Sequence, residues 1–186
     1  MLHVLVLAAQ LSASGHWPPG ARVPVWVDLK HAPPGAPSLI ERAMKNWSDA
    51  SDGRLTLVRA ATRNDASIRI VFIASDGVYG EAAPRVDRTT GFIAQADVLI
   101  NSAVPDDPLD ARIVLYLTAL HELGHAIGLP HSDTFSAIMY RFRHVDDGER
   151  YFGAYRRKLK SPADVGTAIT GLDAEDVAAL QRLYTH

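Results

Sequence analysis

At 186 residues the chain suits one domain with a substantial core, and 47% apolar with 22% charged residues is ordinary for a globular protein. A net charge of −2 gives no electrostatic footprint for nucleic acid or an anionic membrane surface. With no cysteine, disulfides, thiolate metal ligands and a cysteine nucleophile are all excluded.

Residues 1–14 (MLHVLVLAAQLSAS) begin apolar and end small, like a short secretory signal with cleavage before Gly15, although the positive n-region is missing. They read as a signal-peptide remnant or an N-terminal extension, and point to a secreted or cell-envelope protein of bacterial-export type. No run approaches the ~18 apolar residues that span a bilayer. Residues 23–29 (VPVWVDL) alternate like a strand, and a proline-rich loop follows. Ser38 and Glu41 read as a capping box opening a helix whose inner face is Leu39, Ile40, Ala43, Met44 and Trp47. Residues 55–58 and 67–73 read as two further strands, the second rich in β-branched residues. The Gly/Ala/Asp-rich stretch 74–91 reads as loop with one short strand at 82–86, and 92–101 as the last strand. Asp107 and Pro108 then mark a helix start, as N-cap and first helical residue. Ile113, Leu115, Tyr116, Leu117, Ala119 and Leu120 make that helix apolar nearly all round, so it should be buried.

The same helix carries His121-Glu122-Leu123-Gly124-His125-Ala126-Ile127-Gly128-Leu129-Pro130-His131. Residues four apart share a helix face, so His121 and His125 can put two imidazoles on one metal. Gly128 can take the left-handed conformation that stops a helix, Pro130 discourages its return, and His131 can swing back as a third ligand. Three neutral nitrogen ligands leave a zinc ion one open position, the catalytic rather than the closed structural pattern. Glu122, beside the first ligand, is placed to act as general base toward a water at that position.

This stretch resembles the zinc signature of the metzincin metallopeptidases, H-E-x-x-H-x-x-G-x-x-H followed by a Met-turn. Ala137-Ile138-Met139-Tyr140, with Met139 eight residues past His131, fits the turn, and Ser132 together with Ile-Met-Tyr is most similar to the matrixins. The resemblance implies a metzincin-like single α+β domain over residues 15–186, a catalytic domain with a twisted mixed sheet of about five strands. Three main helices are implied, a backing helix, the active-site helix and a C-terminal helix. It implies a zinc endopeptidase with one catalytic ion and a protein or peptide substrate; a calcium requirement is left open, and a monomer is expected. Met139 would be the apolar floor beneath the metal and not a ligand. Ala82, Ala83 and Pro84 match in position the edge strand that pairs with an extended substrate. Ile138, Tyr140, Arg141 and Phe142 would bound the pocket for the side chain just after the scissile bond, with Arg143 and His144 continuing its outer wall. The chain departs from the family at Arg141, where matrixins usually carry proline and astacin- and serralysin-like enzymes a tyrosine. The site chemistry alone also suits a zinc hydrolase of non-peptide acyl substrates, or a binding module stabilised by zinc.

Residues 145–171 read as loop, with Arg150, Arg156, Arg157, Lys158 and Lys160 as a solvated charge run or a rim for acidic substrate residues. Asp173 reads as the N-cap of a final helix with Leu172 and Val177 as staple, and Val177, Leu180, Leu183 and Tyr184 as its buried face.

Overall fold

The computed structural model describes residues 15–75 and 77–185, so the signal-like reading of residues 1–14 lies outside the described residues. Strand β1 (Ala21–Val27) buries Val23, Val25 and Val27 on one face, the period of two of a pleated strand. Helix α1 (Ala36–Ala50) connects it to β2 (Leu55–Arg59), which lies parallel to β1, and β3 (Ile68–Ile73) pairs in parallel on the other side of β1. Strands β4 (Gly80–Val86) and β5 (Ile93–Asn101) form an antiparallel pair, and β5 joins β3 in parallel. The order β2-β1-β3-β5-β4 leaves β4 as an edge. This is the mixed five-stranded α+β sheet expected from the sequence, with every expected strand within about two residues of its place.

Helix α1 begins earlier than its capping residues suggested. It starts at Ala36 after Gly35, which has φ of 81°, and Ser38 Oγ donates back to the Gly35 carbonyl at 3.0 Å instead of capping. Pro37 explains the shift, because its fixed φ and missing N–H cost nothing in a first helical turn.

Helix α2 (Pro108–Ala126) begins as the sequence indicates. Asp107 Oδ1 accepts from the N–H groups of Leu109 and Asp110 at 3.0 and 2.9 Å, satisfying two donors that the helix cannot. The helix packs against α1, β4 and β5, and Trp47 Nε1 donates to the Leu120 carbonyl at 2.8 Å. Its second half is therefore fixed on several sides.

Segment 145–171 corrects the loop reading. It holds helix α3 (Asp147–Arg156) and a 3-10 turn at Pro162–Asp164. Two glycines and four charged residues weaken the apparent helix signal of α3, yet Tyr151 and Tyr155, four apart, are buried. Its charges are partly engaged, Arg150 with Asp147 at 3.5 Å and Arg156 with Asp107 at 3.2 Å. Helix α4 (Ala174–Leu183) closes the chain with the Asp173 cap in place, and buries Leu180 while Val177 and Leu183 are half-buried.

Candidate metal centre

The end of α2 builds the site. Gly128 N–H donates to the His125 carbonyl at 2.9 Å and Leu129 N–H to the Gly124 carbonyl at 2.9 Å, a Schellman closure. Gly128 has φ of 102°, and a Cβ on it would lie 2.3 Å from the Gly15 carbonyl oxygen. The turn therefore needs glycine twice over, for its dihedral and for space. Beyond it the chain reverses, and His131 returns toward His121 and His125.

The potential ligand atoms of these three histidines all lie within 4.8 Å of one another. His121 Nδ1 is 2.6 Å from the Ile138 carbonyl and His125 Nδ1 is 2.8 Å from the Leu129 carbonyl. Those carbonyls can only accept, so each Nδ1 carries the proton and each Nε2 presents a lone pair. His121 Nε2 is buried with no hydrogen-bond partner, and the Nε2 atoms of His125 and His131 stand 3.2 Å apart. Burial, with the neighbouring rings, holds His121 well below the usual histidine range, and burial also lowers His125. Burial, His125 and Arg141 bring His131 down to about 4. Three neutral rings, two with orienting carbonyls on the far nitrogen, fit a divalent cation in donor type and tautomer.

Glu122 follows His121 on the same turn of helix and is only 1% exposed. Its Oε2 is buried without a partner, and burial, then Glu81, raises its carboxyl to about 8. A cation in the histidine cluster opposes that shift. Gly80 lets β4 pass this close, since a Cβ there would meet Glu122 Cγ at 2.6 Å.

Met139 lies beneath the helix. A Cβ on Gly124 would be 2.4 Å from Met139 Sδ, so Gly124 is the notch that admits the methionine. The turn around it is held from α4, where Asp176 accepts from Ile138 N–H at 2.8 Å and Met139 N–H at 3.3 Å. Ile138, whose carbonyl orients His121, is thereby fixed at both its N–H and its C=O.

A narrow, mostly apolar cleft of about 30 Å³, partly open to solvent, adjoins His121 and Glu122. Ile138, Tyr140 and Phe142 line it. Arg141 does not; it is exposed, and its charge bears on His131. Arg143 and His144 are also exposed and outside the lining, Arg143 being paired with Asp133. The far wall comes instead from Tyr151 and Phe152 of α3 and from Tyr79, none of which the sequence singled out. The pair Tyr151 and Tyr155, four apart, was the available signal for α3. Tyr79 gave none. Buried Asp147 shapes the wall segment, accepting from the N–H groups of Arg143 and His144 at 2.7 and 3.0 Å and from the Tyr140 hydroxyl at 3.1 Å. Ala82, Ala83 and Pro84 lie on β4, the exposed edge next to this cleft.

Residues 31–152 match the matrixin (peptidase M10) family model, and the chain belongs to that family. It is 30% identical over 128 residues to human matrix metalloproteinase-15, a match covering 58% of this chain and 19% of that protein. Over 114 residues it is 27% identical to metalloendoproteinase 1 of Glycine max, covering 55% of this chain and 37% of the relative. It is 32% identical to human neutrophil collagenase over 114 residues, covering 54% of this chain and 23% of the relative. The matched stretch thus spans well under half the length of these relatives.

Proposed function

We propose that the chain is a zinc-dependent endopeptidase whose catalytic domain comprises residues 15–186. His121, His125 and His131 would hold the ion through Nε2, and Glu122 would carry the proton. One observation bears most of this reading: three ring nitrogens converge, buried Glu122 lines the same cleft as His121, and neither His121 Nε2 nor Glu122 Oε2 has a partner within the protein. Buried polar groups left unpaired are costly, which favours a ligand that satisfies them. A zinc ion held by these histidines would supply Lewis acidity to a water and to the scissile carbonyl.

The remaining work falls to the chain. Glu122 takes the attacking water's proton at Oε2 and passes it to the leaving amine nitrogen. The edge of β4 at Ala82, Ala83 and Pro84 holds the substrate backbone extended, through main-chain hydrogen bonds that are indifferent to side-chain identity. Ile138, Tyr140 and Phe142 receive the side chain that follows the scissile bond. Met139 supports the histidines from below. The composition of residues 1–14 is our ground for placing the enzyme outside the cytoplasm; among the described residues no helix is long and apolar enough to cross a membrane.

Cleavage of a diverse peptide pool, run beside small acyl esters and acetyl-lysine substrates, tests the reaction class. Chelator-sensitive cleavage of peptides alone is expected. Turnover of the small acyl substrates with intact peptides would overturn the endopeptidase reading.

A further inference from the structure

Resting on the endopeptidase reading, we propose that Tyr79 sets the depth of the cleft beside the metal centre, and so the length of substrate side chain accepted after the scissile bond. The cleft is lined by His121 and Glu122 and by the aromatic rings of Tyr79, Tyr140, Phe142, Tyr151 and Phe152. Tyr79 belongs to that lining although it comes from the connection between β3 and β4, immediately before Gly80. Its ring stands edge-on to Phe152 at 5.1 Å between centroids and to Phe142 at 6.1 Å. It thus ties the β3–β4 connection to α3 and to the segment after Met139. The hydroxyl reaches Gly148 in the first turn of α3, where a Cβ would come within 2.9 Å of Tyr79 Oη.

The position of the ring is fixed by the sheet. Asn101 N–H donates to the Tyr79 carbonyl at 2.8 Å, while Asn101 Nδ2 donates to the carbonyls of Ser75 and Val78 at 2.7 and 2.8 Å. Tyr79 is 38% exposed although it lines the cleft, so its ring is a partly solvent-facing piece of the wall. A side chain entering past Glu122 meets no further charged group in the lining. A cationic or anionic side chain would lose its water without gaining a counter-charge, whereas an apolar one is limited only by where the wall stands. Removing the ring should make room at that point of the wall for longer apolar groups.

The test separates this role from simple packing and from the catalytic reading. In a zinc-loaded Glu122→Ala chain, calorimetry compares two short peptides differing only after the scissile position, one with norleucine and one with biphenylalanine. Adding Tyr79→Ala should raise the affinity ratio of biphenylalanine to norleucine at least tenfold, while Tyr79→Phe, which keeps the ring, leaves it unchanged. Gly148→Ala, favourable for a helix, displaces the ring from α3 and should shift the ratio at least threefold even if Tyr79→Ala folds poorly. The same ratios should appear as kcat/KM in the chain with Glu122 intact. An unchanged ratio in Tyr79→Ala or Gly148→Ala, in a folded protein, would overturn the proposal, as would an equal shift in Tyr79→Phe. Peptides that bind with the expected ratios and are never cut would sink the peptidase reading and leave the pocket assignment standing.

Discussion

Replacing Gly128 by alanine attacks the turn on which the three-histidine cluster depends. An alanine held at φ of 102° is in sparsely populated territory and costs about 1–3 kcal/mol. Its Cβ would also lie 2.3 Å from the Gly15 carbonyl oxygen and 3.2 Å from Leu183 Cδ2, and overlap of this kind costs about 1–3 kcal/mol. The two share one relaxation, so the expected loss is about 2–4 kcal/mol. With a urea slope of about 2 kcal/mol per molar, the unfolding midpoint should fall by about 1–2 M. Gly20 is the control: its φ is 76°, yet a Cβ there meets nothing within 4 Å, so Gly20→Ala reads backbone strain alone. Zinc affinity in Gly128→Ala should drop more than tenfold, because the shifted turn carries His131 with it. A midpoint within about 0.3 M of Gly20→Ala, with zinc affinity intact, would refute the claim that contact with Gly15 constrains the turn.

Met139→Ala should cost about 2–4 kcal/mol by emptying the notch under Gly124, with zinc still bound one to one, since the sulfur is floor and not ligand; loss of the metal in a folded variant would contradict that. Asp107→Ala should lower the chemical-denaturation midpoint by freeing the N–H groups of Leu109 and Asp110, and an unchanged midpoint would contradict the cap. Desolvation pulls the Asp147 carboxyl upward, but the Arg143 and His144 N–H groups and the Tyr140 hydroxyl outweigh it and hold it below the usual range. A depressed folded-state value means this stabilisation is present above the unfolded value of about 3.9 and is lost as pH falls below it. Asp147→Asn should therefore flatten the acid limb of a stability-versus-pH curve, and an unchanged limb would show that Asp147 does not contribute to it.

The histidine cluster was legible because its residues are close in sequence and each has a local reason: His121 and His125 a helical turn apart, Gly128 to stop the helix, and His131 just beyond. The strands were legible through β-branched alternation, and α2 through Asp107 and Pro108. The far wall of the cleft was not. Tyr79 comes from the β3–β4 connection and Tyr151 and Phe152 from α3, and no local period marks residues that meet only in the tertiary structure. Buried Asp147 and Asp176 escaped for the same reason, since a carboxylate in an acidic, exposed-looking stretch shows nothing of the backbone amides it will accept from. Helix α3 hid behind its glycines and charges, and α1 behind a Ser–Glu pair that fits a capping box while Pro37 starts the helix sooner.

The most direct test of the central claim measures zinc content and peptide cleavage together, on the wild-type chain, Glu122→Ala and His125→Ala, with and without a chelator. One zinc per wild-type chain is expected, with chelator-sensitive cleavage. Glu122→Ala should keep its zinc and lose nearly all turnover, and His125→Ala should lose the metal. A Glu122→Ala chain that cleaves at the wild-type rate, or a folded wild-type chain that takes up no zinc, would contradict it.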